Sequence, residues 1–459
     1  MQLLDPLLRA GPVREVFSDE RTVQAMLDFE AALARAQATV GVIPSTAVSA
    51  IVAACNAVDF DFSALAEQAA LGGNLAIPLV QQLTTRVKAG DAQAARFVHW
   101  GATSQDAIDT GLVLQLRDAL TLVNADLDRL IAVLVRKIER HRDTVMIGRT
   151  WMQQALPTTL GLKLAGTLDA VLRHRQRLAE MRHRCCVVQF GGAAGTLASL
   201  GTQGLAVGVA LARELQLELA DTPWHGQRDR IAEVAACFGG LTGSLGKLAR
   251  DISLMTQTEV GELAEGAGVG RGGSSTMPHK RNPVGCAVVL AAAVRVPPLV
   301  ATVLAAMVQE HERGLGAWHA EWESLPELIQ LAAGALHTSV DLIDRLEIHP
   351  DAMRGNLDRT HGLIMAEAVM MALGEAIGRL DAHHLIEAAC RQALAEGRHL
   401  RAVLGDNADV RRHLSEQDLD RLLDPGAYLG VADQCISRVL ARAAASVVKL
   451  GNQKGIKHA

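Results

Sequence analysis

The segment Gly270-Arg271-Gly272-Gly273-Ser274-Ser275-Thr276-Met277-Pro278-His279-Lys280-Arg281-Asn282-Pro283 decides which fold we expect for the chain. Its glycines permit positive φ angles, and its serines, lysine and asparagine offer hydrogen-bond donors. Asn282-Pro283 is typical of the N-cap and the first residue of a helix. A cation and a helix N-terminus would then lie at the end of a serine loop, which favours binding of an anion. The alternative interpretation is a solvated surface loop.

The composition favours a large helical protein. Of the 459 residues, 49% are apolar but only 3% are aromatic, and there is a single tyrosine. Alanine and leucine dominate, which favours long helices over sheets, and the length allows more than one domain. The net charge of −5 and the scarcity of aromatic side chains argue against a nucleic-acid-binding protein.

Three features bear on the compartment of the protein. The seven cysteines form no Cys-x-x-Cys pair, so we expect buried thiols in a reducing compartment. Residues 1–17 lack the basic patch and apolar core of a secretory signal, so we expect a cytoplasmic protein. Residues 284–308 are long enough to span a membrane, but they are rich in alanine and interrupted by Pro297-Pro298. We therefore expect the core helix of a large soluble bundle and no membrane partner.

Residues 18–44 have the pattern of an amphipathic helix. Ser18 and Asp19 are capping residues at its start, and Gly41 and Pro44 mark its end. The apolar residues between them recur near helical spacing. We therefore expect one long helix in this stretch.

Two later stretches carry apolar seams whose steps alternate between three and four residues. The seams are Val113, Leu116, Leu120, Val123, Leu127, Leu130 and Leu134, and then Ile231, Val234, Phe238, Leu241, Leu245, Leu248, Ile252 and Met255. They predict long helices that cross at about +20°. Gly239, Gly240 and Gly243 in the second helix each cost about 1 kcal/mol relative to alanine, which predicts a close approach of backbones. Because one chain supplies about three long helices, we expect the bundle to be completed between subunits.

The pattern divides the chain into three predicted domains. They are an N-terminal helical domain, 1–106, a central long-helix bundle domain that carries the quoted segment, 107–346, and a C-terminal helical domain, 347–459. The last boundary is placed where the apolar pattern shortens into smaller helices.

Two other polar motifs can carry chemistry. His99-Trp100-Gly101-Ala102-Thr103-Ser104-Gln105-Asp106 places a hydroxyl pair and an acid before a long helix. This motif is either a helix cap or a site where Thr103 and Ser104 offer hydroxyl and N–H groups to a carboxylate. The other motif is Gly148-Arg149-Thr150-Trp151-Met152-Gln153, which lies between the two seams.

These motifs resemble those of the fumarase/aspartase superfamily of lyases. The quoted segment has each fixed residue of that superfamily's signature loop, Gly-Ser-Ser-x-Met-Pro-x-Lys-x-Asn-Pro. Residues 148–153 are similar to its Gly-Arg-Thr-His-x-Gln motif, with Trp151 in place of histidine. The resemblance covers nearly the whole chain and implies an all-α, three-domain fold with a long central bundle completed in a homotetramer. It also implies active sites built from three subunits, a small polycarboxylate substrate, and no metal or organic cofactor.

The resemblance implies roles for individual residues. Ser274 is expected to transfer a proton, and Lys280, Asn282 and the helix start at Pro283 are expected to stabilise the charge of a carboxylate-stabilised carbanion. The residues implied to bind substrate are His99, Thr103, Ser104, Thr150, Trp151, Gln153, Met277, Arg313 and His319.

Within the superfamily, the Met-Pro-His-Lys-Arg-Asn-Pro form of the loop resembles the adenylosuccinate lyase branch. Residues 98–106 and Trp318-His319-Ala320-Glu321-Trp322 resemble the family of bacterial 3-carboxy-cis,cis-muconate cycloisomerases. That family implies conversion of 3-carboxy-cis,cis-muconate to 4-carboxymuconolactone in the protocatechuate branch of the β-ketoadipate pathway. The alternative enzyme is adenylosuccinate lyase or a related C–N lyase. The alternative of another class is a crystallin-like structural protein without activity.

Trp151 stands where related lyases have a histidine that serves protonation of the leaving group. In the reverse of lactone formation a carboxylate leaves, and it needs no proton, so tryptophan is chemically tolerable there. The alternative is that Trp151 is a core aromatic residue and that His99, His141 or His319 supplies the acid.

Trp322 is a second departure from the superfamily pattern. It stands where adenylosuccinate lyases have the arginine of a Ser-Ser-x-Glu-Arg segment at the nucleotide phosphate, so a bidentate phosphate clamp is missing. Arg313 remains available for a carboxylate. Both departures favour the cycloisomerase over the C–N lyase.

Overall fold

Helices make up most of the computed structural model, which describes residues 3–266, 272–273, 277 and 279–455. The helices are α1 (Asp5–Leu8), α2 (Val13–Val16), α3 (Asp19–Val40), α4 (Val48–Ala54), α5 (Phe62–Gly72), α6 (Ala76–Gly90), α7 (Ser104–Arg140), α8 (Leu160–Cys185), α9 (Gly204–Leu215), α10 (Asp229–Met255), α11 (Val284–Ala305), α12 (Ala317–Asp344), α13 (Pro350–Asp358), α14 (Ala366–Ile377), α15 (Arg379–Glu396), α16 (Leu400–Asp406), α17 (Ala408–Arg411), α18 (Glu416–Leu422) and α19 (Ala432–Gly455). The strands are β1 (Val145–Thr150), β2 (Gln153–Thr159), β3 (Val187–Val188), β4 (Glu218–Leu219), β5 (Leu263–Ala264) and β6 (Glu347–Ile348). Strands β1 and β2 pair antiparallel, as do β5 and β6, whereas β3 and β4 pair parallel. The predicted all-α fold class is confirmed.

The chain folds as two compact units, each built from three stretches. The first unit comprises residues 1–128, 173–246 and 288–339, and the second comprises 129–172, 247–287 and 340–459. In the first unit α3, α4, α6 and α9 enclose an apolar core. In the second unit α14 to α18 enclose another. The three predicted domains stay a prediction beside this division.

Helix α3 begins and ends where the sequence predicts. The Ser18 hydroxyl accepts a hydrogen bond from the backbone N–H of Arg21 at 3.3 Å. Gly41 has a φ of 80°, the left-handed conformation that commonly ends a helix. The buried face of α3 packs against α9.

The two apolar seams are buried within the single chain. Every seam residue of α7 is at most 1% exposed, and every seam residue of α10 is at most 4% exposed. The predicted long helices are therefore present, and their seams are packed by the chain's own elements. Their burial means that the seams themselves offer no surface to another subunit.

Close contact between α10 and α11 explains one of the three glycines singled out in the sequence. A Cβ atom on Gly239 would lie 2.8 Å from Val300 Cγ2, and one on Gly246 would lie 2.7 Å from Ala293 Cβ. Glycine at these positions lets the two helices touch. At Gly243 no described atom lies within 4 Å of the corresponding point, so the predicted reason is wrong for that residue.

Helix α11 is apolar on both its inner and its outer face. Val289 and Val296 are buried, whereas Val294 is 73% exposed. The outer face consists of Val284, Ala287, Ala291, Val294, Pro298, Ala301 and Ala305, and the exposed Arg295 and Thr302 flank it. Among the described residues this is the one helix long and apolar enough to cross a membrane. Steps of three and four residues on the outer face are also those of a helix that packs against another helix.

The seven cysteines are free thiols, but fewer are buried than the sequence analysis predicts. Cys185, Cys186 and Cys286 are buried, and the other four are half-buried. Burial raises the pKa of Cys186 to about 11, so its thiol stays protonated at neutral pH.

Candidate active site

The turn before α7 is both a helix cap and a polar site. The backbone N–H of Thr103 donates to the Asp106 carboxylate at 3.0 Å, and the Asp106 N–H donates to the Thr103 carbonyl at 2.9 Å. Asp106 therefore caps the helix, which leaves the Thr103 hydroxyl for another partner. That partner is Arg313, whose Nη2 donates to Thr103 Oγ1 at 3.1 Å. The helix-cap interpretation of this motif is therefore confirmed, and binding of a carboxylate by Thr103 and Ser104 stays a prediction.

Asp106 anchors the turn in the interior. Its carboxylate is fully buried and accepts hydrogen bonds from the backbone N–H groups of Gly191 and Gly192, both at 2.9 Å. His225 Nε2 lies 2.8 Å from the same carboxylate. Such donors offset the free-energy cost of burying a carboxylate. The bonds fix Thr103 beside the loop of residues 191–193.

Arg313 offers a cation next to this turn. It is half-buried in the segment between α11 and α12, and Nη2 also donates to the Ala193 carbonyl at 3.1 Å. Its Nε has no hydrogen-bond partner among the described residues. A guanidinium held beside a hydroxyl group is suited to bind a carboxylate. The structure thus brings the predicted residues Thr103 and Arg313 together, with Ser104 adjacent in the chain.

His99 lies in the same turn and contacts a buried acid. Its Nδ1 is 2.6 Å from Oε1 of Glu30, which lies on α3 and is 2% exposed. Burial acts to lower the pKa of His99, but the charge and hydrogen bond of Glu30, together with the charge of Asp106, raise it above its ordinary value. Glu30 has no signal in the sequence, because it is one of four acids on α3 and no motif distinguishes it from the others.

A buried charge network that the sequence analysis missed lies at Arg228, which is 1% exposed. Arg228 donates to Asp109 of α7 at 2.7 and 3.1 Å, and to Glu321 of α12 at 2.5 to 3.2 Å. Trp318 Nε1 also donates to Asp109, at 3.1 Å. The network joins the starts of α7, α10 and α12. Its only signal in the sequence is a charged residue just before α10.

Residues 318–322 form an aromatic cluster. The Trp318 and Trp322 rings meet edge to face with centroids 4.8 Å apart, and the His319 ring is 4.3 Å from that of Trp322. His319 Nε2 lies 3.0 Å from the Gly73 carbonyl oxygen. Glu321 is already paired with Arg228, and the segment contains no arginine or lysine. It therefore lacks the cation that a nucleotide phosphate needs.

The Gly-Arg-Thr-Trp-Met-Gln motif forms the tip of the β1–β2 hairpin in the second unit. Thr150 lies opposite Gln153, and Trp151 and Met152 between them have φ angles of 52° and 65°. Trp151 is 97% exposed within the single chain. The alternative that Trp151 is a core aromatic residue of this chain is therefore wrong. Its indole is available to a ligand or another subunit.

Arg149 holds this hairpin in place. Its two terminal nitrogens donate to the carboxylate of Glu262 at 2.9 and 2.7 Å. Glu262 is fully buried and also accepts a hydrogen bond from Asn356 Nδ2 at 2.8 Å. The three side chains tie the hairpin to β5 and α13 of the same unit. Arg149 is thus engaged within the chain, and the tip residues Thr150 and Trp151 remain for binding.

The signature loop is described in part. Ser274, the expected proton-transfer residue, lies outside the described residues. Gly273 and Arg281 form an antiparallel bridge, and the Asn282 N–H donates to the Gly272 carbonyl at 2.8 Å. These contacts join the two ends of the loop and place Asn282 at its base.

Lys280 and Met277 are exposed, and the Lys280 N–H donates to the Met277 carbonyl at 3.0 Å. The Lys280 ammonium has no partner among the described residues. The neighbouring Arg281 is engaged, because both of its terminal nitrogens lie 2.8 Å from the Glu347 carboxylate. Of these two cations, Lys280 is therefore the one available to a substrate.

The start of α11 differs from the prediction. The helix begins at Val284, one residue later than expected. The N–H groups of Gly285 and Cys286 donate to the two carboxylate oxygens of Glu265 at 2.9 and 2.8 Å. An acid of the chain itself therefore occupies this helix N-terminus. The expectation that the helix start at Pro283 stabilises substrate charge is thus not supported in this conformation.

No group of three or more His, Cys, Asp or Glu side chains that could hold a metal ion occurs among the described residues.

Known proteins with similar sequences and structures include cycloisomerases and lyases. A family model described as lyase matches residues 8–297, and one described as adenylosuccinate lyase C-terminus matches residues 362–439. The 3-carboxy-cis,cis-muconate cycloisomerase of Pseudomonas aeruginosa is 60% identical over 96% of each chain, and that of Pseudomonas putida is 55% identical over 91% of this chain and 99% of its own. The crystal structure of 3-carboxy-cis,cis-muconate lactonizing enzyme from Pseudomonas putida superposes with a TM-score of 0.93 at 53% identity, covering 97% of this chain and 99% of that chain. This chain belongs to the fumarase/aspartase superfamily of lyases, in the family of the bacterial 3-carboxy-cis,cis-muconate cycloisomerases.

Proposed function

We propose that this chain is an enzyme that converts 3-carboxy-cis,cis-muconate to 4-carboxymuconolactone in the protocatechuate branch of the β-ketoadipate pathway. The observation that carries the proposal is the 60% identity to the Pseudomonas aeruginosa cycloisomerase, which extends over 96% of each chain. The reaction is an intramolecular addition, so a single organic substrate has to be bound and oriented.

The substrate carries three carboxylates, and the described residues offer donors for them. Thr103, Ser104 and Arg313 are suited to one carboxylate, because a guanidinium and hydroxyl groups converge at the start of α7. Thr150 and Gln153 flank the tip of the hairpin and offer polar side chains to a second. Among the other predicted binding residues, His99 adds a donor, and Met277, Trp151 and His319 add apolar and aromatic surface.

The chemistry needs stabilisation of negative charge and delivery of one proton. A substrate carboxylate oxygen bonds to one carbon of the diene, and the charge that develops on the neighbouring carbon spreads onto the carboxylate attached to it. Lys280 and Asn282 stabilise this charge. Ser274 gives its proton to the carbon and is reprotonated by solvent, which completes the lactone.

An acid for a leaving group is not required in either direction. In ring opening the leaving group is a carboxylate, which is stable as an anion, so Trp151 can stand where related lyases have histidine. His141 is also poorly suited to supply a proton, because burial and the charges of Arg140 and Lys137 lower its pKa and so favour the neutral imidazole. His319 Nε2 lies against a backbone carbonyl.

We further propose that the protein is a cytoplasmic homotetramer whose subunits meet at α11. The outer face of α11 is apolar over seven positions in steps of three and four residues, and Val294 at its middle is 73% exposed. The same face on another subunit would cover it, as in a coiled-coil seam. Trp151, 97% exposed at the hairpin tip, is a second apolar group that a neighbouring subunit would cover.

An ultraviolet assay with 3-carboxy-cis,cis-muconate and adenylosuccinate side by side tests the function. We expect turnover of the muconate only. Adenylosuccinate lyase is the second candidate, because residues 362–439 match the C-terminal model of that enzyme. Cleavage of adenylosuccinate by the unmodified protein would overturn the proposal, and absence of both activities would favour the structural protein.

A further inference from the structure

Glu30 is an acid on the buried face of the amphipathic helix α3. It is 2% exposed on α3, between Phe29 and Ala31, which are buried as well. Its one side-chain partner among the described residues is His99 Nδ1, at 2.6 Å. Removing a carboxylate from water costs several kcal/mol, which a neutral imidazole does not offset as well as a cation does. Glu30 therefore lowers the stability of the folded protein, and we look for a function of the Glu30–His99 pair that explains its presence.

His99 shows two further signs of such a purpose. Its φ angle is 54°, a left-handed conformation that is strained for a residue with a Cβ atom. Its side chain is still 17% exposed, and Nε2 makes no hydrogen bond to the described residues. His99 is in the turn that carries Thr103, and the Thr103 hydroxyl contacts Arg313. The imidazole thus has one nitrogen fixed in the core, and its other nitrogen makes no hydrogen bond to the described residues in the turn that also carries Thr103.

We propose that Glu30 is a positioning residue that fixes the His99 ring and keeps it as an imidazolium, so that Nε2–H adds a charged donor to the carboxylate site of Thr103 and Arg313. Glu30 itself is too deeply buried to touch a substrate. The inference deepens the proposed function, on which it rests for the carboxylate of the substrate. It also assigns a task to α3, which contributes none of the predicted site residues.

The charges around His99 set the direction of its pH dependence. Glu30 approaches from α3 and Asp106 from α7, and their negative charges raise the pKa of His99 against the opposing effect of burial. Cys55, which lies near Glu30, stays a neutral thiol because burial and that carboxylate raise its pKa to about 12. A raised histidine pKa keeps the cation present below it and loses the cation as pH rises through it. Substrate binding should therefore weaken on the alkaline side.

The test compares the wild-type tetramer with Glu30→Gln, which keeps the shape and removes the charge. The pH dependence of carbethoxylation of His99 by diethyl pyrocarbonate, followed by peptide mass spectrometry, reports the neutral imidazole without any substrate. We expect the midpoint to fall by about one pH unit in Glu30→Gln, since one unit corresponds to about 1.4 kcal/mol of interaction. Asp28→Asn, which removes a half-buried charge from the same helix, should leave the midpoint unchanged.

Kinetics supply the second readout. In Glu30→Gln, KM for 3-carboxy-cis,cis-muconate should rise about tenfold with kcat nearly unchanged, and the alkaline limb of kcat/KM should move to lower pH. His99→Gln should raise KM by a similar factor, and its kcat/KM profile should lack the alkaline limb. The double variant with Glu30→Gln should have the same KM as His99→Gln alone. If Glu30→Gln does not fold, the carbethoxylation midpoint of His99 in the wild type and the kcat/KM profile of His99→Gln still test the inference.

A His99 midpoint below the ordinary histidine value in the wild type, or the same midpoint in Glu30→Gln, would overturn the inference. A loss in kcat at unchanged KM would overturn it as well. If the protein does not turn over the muconate, the proposed function fails, whereas the carbethoxylation midpoints still decide whether Glu30 keeps His99 charged.

Discussion

Replacing Arg228 by methionine would leave two buried carboxylates without their shared cation. Arg228 donates to both oxygens of Asp109 and to both oxygens of Glu321, and all three side chains are 1% exposed. Asp109 would keep the donors of Gln105 and Trp318, at 3.0 and 3.1 Å. The cost therefore falls mainly on Glu321. Removing one partner of a buried ion pair costs about 3–5 kcal/mol of stability, and we expect the free energy of unfolding to fall by this amount at pH 8.

The pH dependence of this loss follows from Glu321. Burial already raises its pKa in the wild type, against the opposing charge of Arg228. Without Arg228 the folded-state pKa rises further above the unfolded value. Below the unfolded-state pKa of Glu321 the carboxyl group is protonated in both the folded and the unfolded protein, so its burial costs little. The stability of the folded protein is lost as pH rises from there through the folded-state pKa. The difference between variant and wild type should therefore shrink between pH 8 and pH 5.

Urea unfolding at fixed protein concentration, followed by circular dichroism at both pH values, measures the effect. Arg391→Met is the matched control, because Arg391 forms an exposed pair with Glu387 on α15. That control should lose no more than about 1 kcal/mol. Adding Glu321→Gln to Arg228→Met should recover part of the loss. A loss below about 1 kcal/mol at pH 8, or a loss that grows as pH falls, would refute the reasoning.

Three further predictions concern the site and the assembly. Trp151→Phe should lose about fivefold in kcat/KM at most, because the indole contributes one hydrogen bond of about 1 kcal/mol at best; a loss of several orders of magnitude in a folded variant would make the indole part of the chemistry. Ser274→Ala should abolish turnover and leave ligand binding nearly intact, whereas Lys280→Ala should damage both, and substantial turnover by the serine variant would assign the proton to another residue. Val294→Glu should dissociate the assembly in light scattering, whereas Val58→Glu, also on an exposed side chain, should not; a persistent tetramer in the first would place the interface elsewhere.

Elements with local signals were predicted well. Helix α3 has a serine cap and a glycine end, and both form as expected. The seams of α7 and α10 follow from spacing alone. The β1–β2 hairpin was missed, because its turn residues Trp151 and Met152 have positive φ angles without the asparagine or glycine that usually signals such a turn. The alternation of its strands is also interrupted where the register shifts between Ile147 and Arg149.

Contacts between distant charged residues could not be predicted. Glu30 meets His99 across 69 positions, Arg149 meets Glu262 across 113, and Arg228 meets Asp109 across 119. Each of these residues is a single charge whose partner depends on how whole helices pack. A periodic pattern identifies the face of a helix but does not identify which residue lies opposite a given side chain. The sequence motifs therefore name candidate residues for the site, but they do not identify the acids that hold those residues in place.

Glu265 shows how such a contact changes an assignment of function. The sequence predicts an anion at the start of α11, and an anion is there, but it is the carboxylate of Glu265, 20 residues before Gly285. The prediction that this helix N-terminus binds an anion was thus correct, but the anion in the structure is Glu265 of the chain itself. Because these N–H groups are engaged within the chain, the charge of a substrate would be stabilised by side chains of the loop. We therefore expect Lys280, which has no partner among the described residues, to be the main electrostatic contributor, assisted by Asn282 at the base of the loop.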